Sequence, residues 1–221
     1  MTGPEEPLPV EAFPMFPLGM VLFPGALLPL QIFEPRYQQL LADCLNGAGE
    51  FGVVLIERGS EVGGGDVRTD IGTIAKIVAA QPMGGGRWQV MAVGTRRLVV
   101  DRWLTDDPYP RAQISDWGDE GNEAHATAQD YANLVTVARR AMALAAELGR
   151  PVGDATEKFT DDPSAGTFQV AALSPIGALD RQRVLATNSS AGRCRLLHDL
   201  LLDEVTMLAA QLSFDPEATE G

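Results

Sequence analysis

The chain is poor in the residues that most often carry chemistry. Its 221 residues include only two cysteines and two histidines. Cys44 and Cys194 stand far apart and outside any CxxC motif, so two small buried hydrophobes are expected rather than a disulfide. His125 and His198 fall on separate expected helices, without HxxxH or HExxH spacing, and no metal site is expected. Lys76 and Lys158 are the only lysines. Neither follows a glycine in the GxxxxGK[ST] pattern, which excludes a P-loop. A Ser-Lys dyad would have to use one of these two, and nothing marks either as a desolvated base. There is no GxSxG elbow. The sequence therefore assigns no catalytic residue, no cofactor and no metal ligand.

Signals for other compartments are missing too. The stretch MTGPEEPLPVEAF has no basic n-region and no unbroken apolar core, so no secretory signal is read. No segment is long and apolar enough to span a bilayer. A cytoplasmic protein is expected. Positive charge is scarce: 17 Lys and Arg face 30 Asp and Glu, for a net charge of -13. Nucleic-acid affinity rests on cations neutralising phosphates, so no nucleic-acid partner is expected, and no anionic membrane surface either.

What is present is apolar surface. Hydrophobic residues make up 45% of the chain and the mean hydropathy is -0.01, as in a globular protein. The run FPLGMVLFPGALLPLQIFEPRY, residues 16–37, is nearly all apolar up to Phe33. Pro17, Pro24 and Pro29 each remove a backbone donor and restrict the preceding residue, which forbids one continuous helix. Short buried strands are expected, with a strand over 26–33. Glu34-Pro35 then opens a helix, with proline at its first position. Tyr37, Leu40, Leu41, Cys44 and Leu45 share one helical face, and Asn46-Gly47 stops it.

Further strands are read at Phe51–Glu57, Ile71–Ala80, Trp88–Val93, Arg96–Leu104 and Pro110–Trp117. Arg58–Asp70 is expected as a loop, Gly84-Gly85-Gly86 as a hairpin turn and Gly94-Thr95 as a tight joint. Arg96 and Arg97, adjacent on a strand, are expected on opposite faces. Both glycine triplets fall between strands, which excludes a dinucleotide fingerprint. Asp106-Asp107 and Asp161-Asp162 precede prolines and read as turn residues.

Near residue 118 the character changes. Tyr131, Leu134, Val135, Ala138, Met142, Ala145 and Leu148 repeat at helical spacing. Shorter helices are read over Ser164–Leu173 and Leu179–Ala186. Ser190 is expected to cap a last helix carrying Cys194, Leu197, Leu201, Val205 and Leu208 on its apolar face. The organisation is thus α+β: a flexible arm over 1–14, a β-rich domain over 15–117, a linker over 118–123, helices over 124–213 and a flexible tail over 214–221. A small barrel or sandwich with one inserted helix suits the first part.

The ordered blocks FPLGMVLFPGALLPLQIFEPRY, FGVVLIERG, EVGGGD, IGTIAKI, GRWQVMAVGTRRLVV and PYPRAQI resemble the N-terminal, substrate-binding domain of the Lon ATP-dependent protease family. SPIGALDRQRVLATNSSAGRCRLL extends the resemblance more loosely. It implies a PUA-like β pseudo-barrel followed by an α-helical bundle, without the family's ATPase and Ser-Lys peptidase modules. The expected function is non-enzymatic binding of exposed hydrophobic or unfolded polypeptide, as an adaptor or chaperone-like factor beside a separate protease or chaperone. The candidate binding residues are Phe33, Glu34, Arg36 and Tyr37 at the strand-to-helix corner, and Val62, Gly63 and Gly64 in the glycine-rich loop. Two alternatives stand: a hydrolase or small-molecule site between barrel and helices, and RNA binding through the PUA-like fold.

Overall fold

A computed structural model describes residues 12–58, 67–119 and 125–214. It is α+β, with a mixed sheet of six strands and five helices. The strands are β1 (Phe13–Leu18), β2 (Leu27–Ile32), β3 (Glu50–Arg58), β4 (Val67–Gly84), β5 (Arg87–Trp103) and β6 (Arg111–Asp116). The helices are α1 (Pro35–Asn46), α2 (Ala128–Glu147), α3 (Pro163–Leu173), α4 (Ala178–Ala186) and α5 (Ser190–Phe214). The chain divides into two compact units. One holds the residues up to Gly19 and Leu27–Asp116; the other holds Met20–Ala26 and the chain from Trp117 onward. Met20–Ala26, inside the stretch expected as one β-rich domain, thus goes with the helices.

In the first unit the sheet order is β2-β5-β4-β3-β1-β6, and β6 also pairs with β5. Five strands therefore close into a ring, with β2 laid against the free end of β5. Among the described strands β1 and β3 are the one parallel pair. Met15, Val54, Ile74, Leu98, Val100 and Ala112 fill the ring from alternate strand positions. The helix α1 buries Tyr37, Leu40, Leu41 and Cys44. Leu45, expected on that face, is exposed.

Several boundaries differ from expectation. β4 begins at Val67, inside the expected loop. Gly94-Thr95 joins no two strands: β5 is continuous from Arg87 to Trp103. Ile74 pairs with Arg96 and Ala75 with Gly94, so Thr95 is the extra residue of a bulge, and its hydroxyl donates to Ile74 O at 3.0 Å. Arg97 is buried, while Arg96 is exposed and paired with Glu50 and Asp116. That is the alternation a strand imposes.

In the second unit α5 packs against α2, α3 and α4. Ala126 N donates to Ser190 Oγ near the start of α2, and Arg150 Nη2 to Gln211 Oε1 beyond its end, so α2 and α5 run in the same direction. The cap of α5 is Ser189, whose Oγ accepts from Gly192 N; Ser190, expected in that role, is the first helical residue. Asp162 is more than a turn residue. It caps α3, accepting from Ser164 N and Ala165 N, with Pro163 opening the helix. Phe23, from the early apolar run, lies 5.8 Å from the Phe168 ring.

Candidate functional site

Phe33 stands between β2 and α1, one residue before the helix cap. Glu34 caps α1 with extended backbone, and Pro35 presets the first turn. A hydrophobic residue before the cap often packs on the fourth helical residue. Here that residue is Gln38, which instead donates from Nε2 to Phe33 O at 2.9 Å. The Phe33 ring gains no such cover and is 58% exposed.

Gln38 also meets the β4–β5 hairpin. Gly84, Gly85 and Gly86 all have positive φ, between 61° and 82°, a conformation glycine adopts without strain. A Cβ on Gly86 would lie 3.3 Å from Gln38 Nε2. The turn and the first turn of α1 therefore approach one another at this side chain.

Beside this hairpin end lies a groove of about 560 Å³. The end of β2 contributes Gln31 and Ile32, followed by Phe33; β4 contributes Met83; β5 contributes Arg87, Trp88 and Gln89. Trp88 is flanked in register by Ile32 on one strand and Pro82 on the other. Ile32 is buried, Trp88 half-buried, and Met83 is 62% exposed. Phe33 and Met83 thus present large apolar side chains to solvent beside an indole. Arg87 is the one charged residue among those lining the groove.

A smaller cleft of about 200 Å³ shares Gln31, Ile32 and Phe33 and continues past Pro29, Glu34 and Tyr37 to Phe16 and Leu18. The four candidates at the corner separate here. Tyr37 is buried, its ring stacked on Phe16 with centroids 4.0 Å apart and planes 8° from parallel, and Phe16 meets Phe51 at 6.0 Å. Arg36 lies over the Tyr37 ring at 4.5 Å and binds Glu34 at 2.9 Å. Glu34 and Arg36 neutralise each other, Tyr37 is core, and Phe33 faces outward. Val62, Gly63 and Gly64 lie outside the described residues. Met83, Arg87 and Trp88 are absent from the sequence-based candidates. Their one signal was apolar and cationic residues flanking the glycine triplet at a hairpin end, where solvent would otherwise favour small polar side chains.

Cys44 donates to Glu50 O at 3.2 Å, and burial, then the charge of Asp43, pushes its thiol up to about 12. Burial, then Asp130, pushes Cys194 up to about 11. Both shifts disfavour the thiolate, which is the nucleophilic form. Tyr109 is raised by burial and by donating to Asp43 Oδ2 at 2.6 Å. Among the described residues, no group of three or more His, Cys, Asp and Glu side chains could hold a metal, and no helix is long and apolar enough to cross a membrane.

A family model described as the ATP-dependent protease La (LON) substrate-binding domain matches residues 12–203. Lon protease 2 of Myxococcus xanthus is 28% identical over 195 residues, which cover 86% of this chain and 23% of that protein. The Lon protease of Anaeromyxobacter dehalogenans is 29% identical over 192 residues, covering 85% and 22%. The chain therefore spans under a quarter of the length of either protease, at 23% and 22%. Among solved structures, a Lon N-terminal domain protein from Xanthomonas campestris is similar at a TM-score of 0.64 and 26% identity, over 84% of this chain and 96% of that one. The N-terminal domain of Mycobacterium avium complex Lon protease is similar in fold, with a TM-score of 0.60 at 16% identity over 87% and 99%.

Proposed function

The chain belongs to the family of Lon substrate-binding domains, and from that premise we propose that it is a non-enzymatic cytoplasmic module that binds exposed apolar segments of polypeptide in the groove beside Phe33. The observation that carries the reading is the groove itself. Phe33 and Met83 expose large apolar side chains beside Trp88, around a volume of about 560 Å³. Ligand sites commonly run from roughly 300 to 1,000 Å³, lined by apolar and aromatic groups with a few polar ones. Gln31 and Gln89 supply amide donors and acceptors that suit a peptide backbone.

In this reading the closed ring with β2 beside it is a PUA-like pseudo-barrel, and α2–α5 form the accompanying helical bundle. The module acts as an adaptor or chaperone-like factor, presenting clients to a separate protease or chaperone. RNA is disfavoured by the net charge of -13.

Photo-crosslinking tests this. A crosslinking side chain is placed at 33 or at 88 in the full chain, and at the exposed Leu202 of α5 as a control. The chain is then mixed with a reduced, carboxymethylated client. Crosslinks at 33 and 88 well above those at 202, competed by excess unlabelled client, are expected. Equal labelling at all three positions would sink the proposal.

A further inference from the structure

We propose that Arg87 makes this groove selective for an internal polypeptide segment that carries an Asp or Glu side chain next to its apolar residues. The inference rests on the polypeptide-binding reading above and adds what kind of polypeptide the groove prefers.

Arg87 is exposed, and its side chain makes no hydrogen bond or ion pair among the described residues. Other arginines of the chain do find carboxylates. Arg36 binds Glu34, Arg68 binds Asp106, Arg96 binds Asp116, and Arg193 binds Asp119. In a chain with 30 Asp and Glu against 17 Lys and Arg, acidic partners are plentiful. The polar neighbours of Arg87 in the groove are nevertheless Gln31 and Gln89, which leave its charge uncompensated. The guanidinium lines a groove of mixed polar and apolar residues with its fork of donors unused. A planar carboxylate is the group that fork matches.

The net charge acts the other way at long range, because an acidic protein repels an acidic client. Contact wins over that field at physiological salt. The Debye length is then about 8 Å, so remote carboxylates are screened while a paired charge at contact distance is screened much less.

An internal segment is favoured over a chain terminus by the continuity of the lining. Gln31, Ile32 and Phe33 line both the groove and the smaller cleft that runs on to Pro29 and Leu30. A bound chain can pass from one to the other. The only carboxylate on that path is Glu34, and Arg36 already neutralises it. Among the described residues the path therefore offers one unpaired cation, Arg87, and no unpaired anion.

The test uses fluorescent peptides of one apolar sequence in which the residue beside the aromatic is Glu, Gln or Lys, each made with an amidated and with a free C-terminus. Anisotropy reads their affinity for the full chain, for Arg87→Gln, for Arg87→Glu and for Trp88→Ala. The expected result is about fivefold tighter binding of the Glu peptide than of the Gln peptide, the upper range for a partly exposed ion pair. Arg87→Gln brings the Glu and Gln peptides to equal affinity; Arg87→Glu turns the preference to Lys. Equal affinity of Glu and Gln peptides for the unmodified chain, with Trp88→Ala weakening both, overturns the selectivity and leaves the polypeptide-binding reading standing. A gain that depends only on a free C-terminus also overturns it, in favour of terminal capture. No binding of any peptide overturns both.

Discussion

Arg193 is fully buried in the helical unit, and its guanidinium holds Asp119 through two bonds, Nη1–Oδ1 at 2.5 Å and Nη2–Oδ2 at 2.8 Å. The same group donates to Thr167 Oγ1, Ser164 O and Thr187 O, and lies 4.2 Å from the Phe168 ring centroid. The two partners are unequal: the Arg193 side chain is 1% exposed and that of Asp119 is 21% exposed. Removing the carboxylate leaves a buried cation with only neutral partners. Removing the guanidinium leaves an anion that water can reach. Asp119→Ala is therefore expected to cost about 3–5 kcal/mol, the range for stranding a buried charge, and Arg193→Met less. Urea unfolding of both variants decides it; a larger loss for Arg193→Met would refute the asymmetry.

Phe33 and Tyr37 lie four residues apart and do opposite work. Tyr37→Ala removes a buried ring stacked on Phe16 and is expected to cost about 3–5 kcal/mol. Phe33→Ser removes an exposed ring and is expected to change stability by no more than about 0.5 kcal/mol, while weakening binding of an unfolded client several-fold. A stability loss at Phe33 as large as that at Tyr37 would show that its ring belongs to the core.

The division between these residues marks how far the sequence could be read. The helix, its Pro35 start, its Asn46-Gly47 stop and four of its five apolar positions were legible, because capping and a 3.6-residue period are local properties. The exposure of Phe33 was not, because it depends on Gln38 occupying the place where a staple partner would stand. Strand alternation placed Arg96 and Arg97 on opposite faces. Gly94-Thr95, expected as a joint between two strands, lies inside one, since a bulge adds a residue without ending the strand. The assignment of Met20–Ala26 to the helical unit was beyond local pattern altogether. Val21, Leu22 and Phe23 are apolar for a core that the chain supplies more than a hundred residues later.

Glu204 on α5 gives the chain a pH signature. Its Oε2 is buried without a hydrogen-bond partner, and its carboxyl is raised above the usual range, first by burial and then by Asp180 and Asp203 against the opposing pull of Arg150. A carboxyl raised in the folded state stays protonated there while the unfolded chain, near 4.3, already ionises. Its contribution is therefore intact below that value and is lost as pH rises through the folded-state value. Glu204→Gln keeps the neutral form at all pH. Its melting temperature should match that of the parent near pH 4 and exceed it at pH 7. An unchanged difference across that interval would show that Glu204 is not the titrating group.

Gly72 in β4 is where the ring tolerates least. A Cβ built there would lie 2.2 Å from Val53 O and 2.7 Å from a Val54 methyl. Gly72 pairs directly with Val54 across the β3–β4 ladder, so the obstructing oxygen is held by the neighbouring strand. A flexible side chain could swing away, but a carbonyl in a ladder moves only with its strand. Overpacking in a well-packed core costs about 1–3 kcal/mol and more where backbone must shift. Gly72→Ala is expected at or above the top of that range. Gly118→Ala is the control, because nothing among the described residues lies within 4 Å of its added Cβ, and a change within about 0.5 kcal/mol is expected there. Both are read by urea unfolding. If the two variants lose similar stability, close strand approach at Gly72 is not what requires glycine in this position.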